Sequence, residues 1–315
     1  MSRPTLVRAL APAKVNLRLE VLGRRADGFH DIRTWMLALD RCDHIEARAN
    51  SIGRVTLSLS GEQASADVPV DERNLAFRAA SAALAAGREG GLLGDRDGVD
   101  LVLDKRIPSR AGLGGGSSDA AAAWFAASAA LGIELENGTE ALAALGSDCA
   151  FFAGGRSTGF ALCEGRGERV TSARAPSSAF FFALVVPEIA CATAAVYAAL
   201  DLRSGSPQMP PSLAQDWLRG PASRLRPFLW NHLEEAAIAA FPGLVPWRRL
   251  LDGHGAADWR LSGSGSAFFG VYDRREEAEA ALAAVVGAAE ERALPLRAAW
   301  VSAPAWRGAN IVAVR

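Results

Sequence analysis

The chain has 315 residues, half of them hydrophobic, with 34 Lys+Arg against 35 Asp+Glu and a formal net charge of −1. That length buries a large core and suggests two domains more readily than one. The near balance of charge excludes a general attraction to nucleic acid or an anionic membrane, so any affinity for phosphate has to come from local geometry.

The first residues, Met-Ser-Arg-Pro-Thr-Leu, lack an apolar signal-like segment, and no stretch approaches about 18 uncharged apolar residues, so a cytoplasmic protein with no membrane partner is expected. From Val15 to Val21, apolar Val15, Leu17, Leu19 and Val21 alternate with Asn16, Arg18 and Glu20, the period of a half-buried strand. Lys14 shares the face of Asn16, which sets a charge and an amide together out of the core. The alternation recurs at Val55, Leu57, Leu59 and at Val99, Leu101, Leu103, giving strands of one sheet. Between them Asn74 to Ala86 is alanine-rich and helical in character, with Gly87 as its stop. Lys14 and Lys105 are the only two lysines in a chain that otherwise uses arginine. Both are therefore candidates for positions where a compact ammonium serves and a planar guanidinium does not.

Behind Lys105 the chain reads Arg-Ala-Gly-Leu-Gly-Gly-Gly-Ser-Ser-Asp-Ala-Ala from Arg110 to Ala121 and enters a helix over 117–131 that Gly132 ends. Glycines at 112, 114, 115 and 116 permit positive φ and close approach of a ligand to the backbone, at an entropic cost a mere linker would not require. The helix start adds N–H donors and a partial positive charge, so the segment predicts a phosphate site. The P-loop pattern is excluded, since the chain contains no Gly-Lys dipeptide. The dinucleotide fingerprint is excluded as well, because its third glycine would fall on Ser117 and the loop lies far from a first βα turn.

Further on, Gly146-Ser147-Asp148-Cys149 places an aspartate after a short helix, a position that also suits an ordinary turn former. Phe151 to Gly155 and Gly159 to Gly167 predict short strands joined by glycine turns. A second unit begins shortly before Phe180, with a buried strand over Phe180–Val186. Helical patterns follow at 193–201, 224–240 and 274–290, and strand-like pieces at 258–262, 266–272 and 296–301, an α+β layer. Ser204 to Ser212 reads as a loop, and Leu261-Ser262-Gly263-Ser264-Gly265-Ser266 as either a hairpin turn or a second loop against phosphates. Cys42, Cys149, Cys163 and Cys191 form no C-x-x-C pair, so reduced thiols without zinc are expected.

Taken together, the glycine loop, the Lys14 strand, the Asp148 segment and the Gly/Ser loop resemble the motif set of the GHMP kinase superfamily, which moves the γ-phosphoryl group of ATP to small molecules. Within it, Ala13-Lys14-Val15-Asn16-Leu17 followed by Arg25-Ala26-Asp27-Gly28-Phe29-His30 resembles the 4-diphosphocytidyl-2-C-methyl-D-erythritol kinase family. The resemblance runs from residue 11 to about residue 270 and implies a two-domain α+β fold. Residues 1–174 would form a unit like the second domain of ribosomal protein S5, and residues 175–315 a ferredoxin-like unit, with the substrate between them.

By the same resemblance Asp148 is the catalytic base and Lys14 its charged partner. Pro108, Ser109, Arg110, Ala111, Gly112, Leu113, Gly114, Gly115, Gly116, Ser117 and Ser118 would hold ATP, with Lys105 and Asn74 on its adenosine side. Mg²⁺ is expected with ATP, and a hydroxyl of Ser117 or Ser118 could hold it, the metal ligands being otherwise unknown. Asn16, Phe29, His30, Thr193, Tyr197, Gly263 and Gly265 would face a substrate carrying cytidine diphosphate, with Phe29 and Tyr197 as aromatic jaws and the protein a monomer or weak dimer. Two departures from the family pattern stand out: Phe29 replaces the commoner tyrosine, and Cys149-Ala150 replaces Val-Pro. The alternatives are a GHMP kinase of the homoserine or mevalonate type, which would not be expected to carry the Asp-Gly-aromatic-His element, and a catalytically silent nucleotide-binding regulator. The joint presence of Lys14, Asp148 and the loop argues against silence.

Overall fold

The structure is a computed structural model that describes residues 6–135, 138–154, 159–174, 180–200, 220–254, 258–305 and 307–314. Two long antiparallel strands, β1 (Val7–Arg24) and β2 (His30–Asn50), form the spine of an eight-stranded sheet. β2 does double duty: residues 44–50 pair with β4 (Gly98–Asp104), while residues 32–37 pair with β5 (Phe160–Gly165), which continues to β6 (Arg169–Ser172). β3 (Val55–Ser60) lies parallel to β4, the two joined through α1 (Leu75–Glu89). The expected strands at 15–21, 55–59 and 99–103 are therefore in one sheet, whereas β2 went unread although Ile45, Ala47 and Ala49 alternate there with His44, Glu46 and Arg48.

The polar face of β1 is not solvated. Lys14, Asn16, Arg18 and Glu20 are all buried, because loops from both halves of the chain cover them, so the strand is enclosed on both faces rather than half-buried. Against the sheet lies α2 (Gly115–Leu131), whose alanines at 120–123, 126, 127 and 130 are buried on every side. Small side chains let it wedge between α1 and the sheet, the behaviour of a helix apolar all round. Gly132, in the left-handed region at φ 69°, ends it as expected.

Three sequence expectations are corrected. Gly87 does not stop α1: the helix runs on to Glu89 and Gly90 caps it, since Gly87 is a packing glycine whose added Cβ would lie 2.6 Å from Leu93 Cδ1. The Phe151–Gly154 stretch is not a strand but part of α4 (Ser147–Gly154), preceded by α3 (Gly138–Leu145), while Gly155 lies outside the described residues. A short apolar run does not by itself distinguish a buried strand from a buried helix. The 224–240 pattern is not one helix: Ala222–Leu225 gives way to a 3₁₀ turn at Arg226–Phe228, then β8 (Trp230–Asn231), then a helix over Glu234–Ala240. Pro227, with no N–H and a ring that clashes with the preceding turn, breaks it. A further helix, Leu244–Gly253, has no counterpart in the sequence reading. The 204–212 loop lies outside the described residues.

The second sheet has the order β11-β7-β10-β9, from β7 (Phe181–Pro187), β9 (Arg260–Leu261), β10 (Phe268–Tyr272) and β11 (Leu296–Ser302), all antiparallel neighbours. With α5 (Thr193–Ala199) after β7 and the helix Arg275–Glu291 after β10, this is the ferredoxin-like arrangement. Phe182, Leu184 and Phe269 of this sheet pack with Val15, Leu37 and Phe160 of the first in one continuous apolar core. The final strand, β12 (Asn310–Val314), returns to pair with β1. All four cysteines are free, and burial pushes the Cys149 thiol up to about 12. Among the described residues no helix is long and apolar enough to cross a membrane.

Candidate active site

The glycine loop, β1 and the Ser262–Gly265 turn meet at a cleft of about 990 Å³. Gly112 and Gly114 take positive φ (74° and 70°), and Gly114 is the N-cap of α2, so Gly115 and Gly116 already belong to the helix. The helix thus starts two residues earlier than Ser117, and the N–H groups of its first turn face the loop without intrahelical partners. Close approach explains the glycines: a Cβ on Gly112 would lie 2.0 Å from the Ser262 carbonyl oxygen, and one on Gly114 2.9 Å from Lys14 Cγ. Gly112→Ala is therefore expected to destabilise the fold by about 1–3 kcal/mol and to raise the KM for ATP at least tenfold, by roughly the cost of losing one good anion contact. Thermal unfolding and ATP titration check both.

Lys14 is buried under this loop. Its backbone N–H donates to Leu113 O at 2.9 Å, its Nζ donates to Asn16 Oδ1 at 2.6 Å, and its Nζ lies 3.4 Å from Asp148 Oδ2. Asp148 sits in the first turn of α4, where a carboxylate complements the helix dipole, and its side chain is 27% exposed to the cleft. Asn16 is held in turn by Thr34, to whose Oγ1 its Nδ2 donates at 2.8 Å. Ser262 Oγ donates to Gly112 O at 2.9 Å, and Asn231 Nδ2 donates to the carbonyls of Leu261 and Gly263 at 2.8 and 2.7 Å. An ammonium, a carboxylate and a phosphate-type loop are thereby fixed in one place by bonds from β2, β8 and the Ser262 turn.

Lys105 proves to be a buried strut. Its Nζ donates to Asp43 and, at 2.8 Å, to Asp119 Oδ2 in the first turns of α2, and a Cβ on Gly115 would stand 3.2 Å away. Burial opposes its charge, but Asp119 and Asp43 override that and raise its pKa. Burial, partly countered by Lys105 and reinforced by the Asp43 charge, pushes the Asp119 carboxyl well above the usual carboxylate range. Asp43 also accepts from the Ile107 N–H at 2.8 Å, so the strut fixes both ends of the chain that enters the loop. Asn74 caps α1, accepting from Ala76 N at 2.8 Å and donating to Pro69 O at 2.7 Å, with its side chain still lining the cleft. Arg297 Nη1 donates to Ser109 O at 3.0 Å and anchors the loop's start.

Of the residues expected at the site, Lys14, Asn16, Asn74, Lys105, Pro108 through Ser117, Asp148, Thr193, Tyr197 and Gly263 line this cleft, whereas Ser118, Phe29, His30 and Gly265 do not. Gly265 turns instead toward Leu261 and Cys191. Tyr197 and His30 stack on each other at 4.8 Å with a 24° interplanar angle, so the aromatic element meets the cleft edge through Tyr197. Phe29 stands 54% exposed beside them. Burial, with the charge of Arg24, lowers the His30 pKa and favours the neutral imidazole, while burial and then Asp148 raise the Tyr197 phenol. Thr193 Oγ1 and Ser264 Oγ lie 3.0 Å apart. The sequence reading missed Thr34, Asp43, Asp119, Asn231 and Arg297; Asp119 stood inside the loop motif, and the others sit where no motif pointed.

A two-domain α+β fold with a glycine-loop helix start and a Lys–Asp pair at the phosphate end defines an ATP-dependent small-molecule kinase of the GHMP class. Residues 74–163 match the GHMP kinases N terminal domain and residues 215–290 the GHMP kinases C terminal domain. The 4-diphosphocytidyl-2-C-methyl-D-erythritol kinase of Geobacter sp. (strain M21) is 38% identical over 282 residues, covering 88% of this chain and 93% of the relative. A crystal structure of 4-(cytidine 5'-diphospho)-2C-methyl-D-erythritol kinase superposes with a TM-score of 0.73 at 34% identity, over 94% of this chain and 98% of its own. Homoserine kinase from Cytophaga hutchinsonii shares the fold, at a TM-score of 0.70 and 19% identity over 99% of each chain. The chain belongs to the 4-diphosphocytidyl-2-C-methyl-D-erythritol kinase family.

Proposed function

We propose that this kinase transfers the γ-phosphoryl group of ATP to the 2-hydroxyl of 4-diphosphocytidyl-2-C-methyl-D-erythritol, a step in isoprenoid precursor synthesis. The observation that carries the reading is the Lys14 ammonium, set 2.6 Å from Asn16 Oδ1 and 3.4 Å from Asp148 Oδ2 at the foot of the glycine loop. Phosphoryl transfer passes through a loose transition state, so the enzyme's work is positioning and charge stabilisation. Asp148 takes the hydroxyl proton as that oxygen attacks phosphorus. Lys14 orients the carboxylate and the nucleophile, and the α2 N-terminus with Gly114 to Ser117 receives the phosphates. The stacked His30–Tyr197 pair offers a flat apolar surface to a pyrimidine, and a neutral imidazole can both donate to and accept from a base edge.

Mg²⁺ would be held at the helix start by Asp119 Oδ1, a buried oxygen without a hydrogen-bond partner on a residue that lines the cleft, the hard ligand that this ion takes together with substrate phosphates. When bound, the ion neutralises charge on the β- and γ-phosphates. The residues of 1–174 carry the ATP and catalytic parts in this reading, and 175–315 the substrate side, in a cytoplasmic monomer or weak dimer. The test is ADP release from purified protein. Formation of ADP that depends on the diphosphocytidyl alcohol is the expected result; ADP formed with homoserine or mevalonate instead would overturn the substrate assignment.

A further inference from the structure

The turn between β5 and β6, Gly165-Arg166-Gly167-Glu168, is held in one conformation beside the site. Gly165 and Gly167 take φ of 74° and 118°, Glu168 Oε2 accepts from the Arg166 N–H at 2.6 Å, and the Gly167 N–H donates to Glu164 O at 3.1 Å. A Cβ on Gly165 would come within 2.7 Å of Glu168 Oε1, so the turn has no room for a side chain there. One end of the turn rests on the catalytic carboxylate: a Cβ at Gly167 would lie 3.8 Å from Asp148 Oδ1 and 3.3 Å from Ser147 Cβ. The other end reaches the aromatic element, with the Arg166 guanidinium carbon 5.1 Å from the Phe29 ring centroid. Two neighbouring arginines have their forks engaged, Arg25 with Asp27 and Asp31 at 3.0 Å each and Arg33 with Glu164 at 3.1 Å. Among the described residues the Arg166 guanidinium pairs with Glu168 at 4.0 Å, and its side chain is about one third exposed.

We propose that Arg166 binds the diphosphate of the cytidine diphosphate substrate and so sets specificity for a charged nucleoside diphosphate alcohol. The proposal rests on the substrate reading above. A substrate with its base beside Phe29 and His30 and its reacting hydroxyl at Asp148 has to thread its diphosphate between those points, and the Arg166 turn touches both. Along that path Asp27 and Asp148 are already paired, with Arg25 and Lys14, and the Glu168 carboxylate stands 4.0 Å from the Arg166 guanidinium. A guanidinium meets phosphate oxygens bidentately, which a plain cover for the Phe29 face would not require.

The test is calorimetric titration of wild type and Arg166→Gln with CDP and with cytidine, each with a non-hydrolysable ATP analogue saturating the nucleotide loop. Wild type is expected to prefer CDP. Arg166→Gln should lose roughly 10- to 100-fold in CDP affinity, the worth of a charged hydrogen bond, with cytidine and ATP-analogue affinities within twofold and with Arg166→Lys recovering part of the loss. The KM for the diphosphocytidyl alcohol should rise by the same factor at nearly constant kcat. Equal losses for CDP and cytidine would mean that Arg166 acts only through Phe29 and would overturn the proposal, as would unchanged CDP binding. If wild type binds the ATP analogue but neither cytidine nor CDP, the substrate reading itself fails and takes this assignment with it.

Discussion

Asp148→Asn is expected to lower kcat by about 10²- to 10⁴-fold, the usual worth of a positioned general base, while ATP affinity stays within about twofold of wild type. Asparagine keeps the size of the side chain and one acceptor oxygen, so the first turn of α4 is preserved. It cannot take a proton from the attacking hydroxyl, and it ends the ion pair with Lys14 at 3.4 Å. The glycine loop is fastened from elsewhere, through the bond of Ser262 Oγ to Gly112 O and of the Ala267 N–H to Ala111 O, so nucleotide binding has no reason to follow. Single-turnover rates alongside ATP titration separate the two effects, and wild-type turnover in this variant would exclude Asp148 as the base.

Lys14→Arg is expected to cut kcat/KM by about 10²-fold or more although the charge is kept, since misplacement of a catalytic group by about 1 Å has that consequence. The lysine stem is walled in: a Cβ on Gly114 would lie 2.9 Å from its Cγ and 3.1 Å from its Cε, and one on Gly263 3.4 Å from its Nζ. A planar fork in that space has to displace the glycine loop or the Ser262 turn. Measured kcat/KM, with an unfolding midpoint to show that the variant folds, decides the matter; full activity would mean that the position tolerates any cation.

The sequence made this much visible because each element of the site leaves a local mark. The Lys14–Asn16 face shows as strand alternation and as a rare lysine, and the anion loop as glycines running into alanines. What supports them was hidden for a physical reason. β2 holds Thr34 and Asp43, yet its pairing with β1 shifts register between Pro12 and Lys14, between Asn16 and Arg18, and between Val21 and Gly23. Two of those shifts set their extra residue in β1, while β2 is buried continuously from Thr34 to Leu39, so only its later half keeps a two-residue period, at Asp43, Ile45 and Ala47. Lys105 illustrates a different gap: its rarity marked it correctly as special, but only the fold brings Asp43, 62 positions earlier in the chain, to its ammonium. Asp148 was read as following a helix, and it also begins one, because the apolar Phe151–Phe152 pair suits either kind of buried element.

The pairing of β12 with β1 bears on how the protein is made. Val7 to Leu10 find their partners at Asn310 to Val314, so during synthesis the outer edge of the first strand stays open until about 300 further residues have been made. An open edge is a template for pairing with other chains, and domains that emerge first generally fold first. Here the first sheet cannot be completed on that schedule. Its early form carries a bare edge for the entire time taken to translate the second sheet, which is the interval in which a chaperone would have most to do.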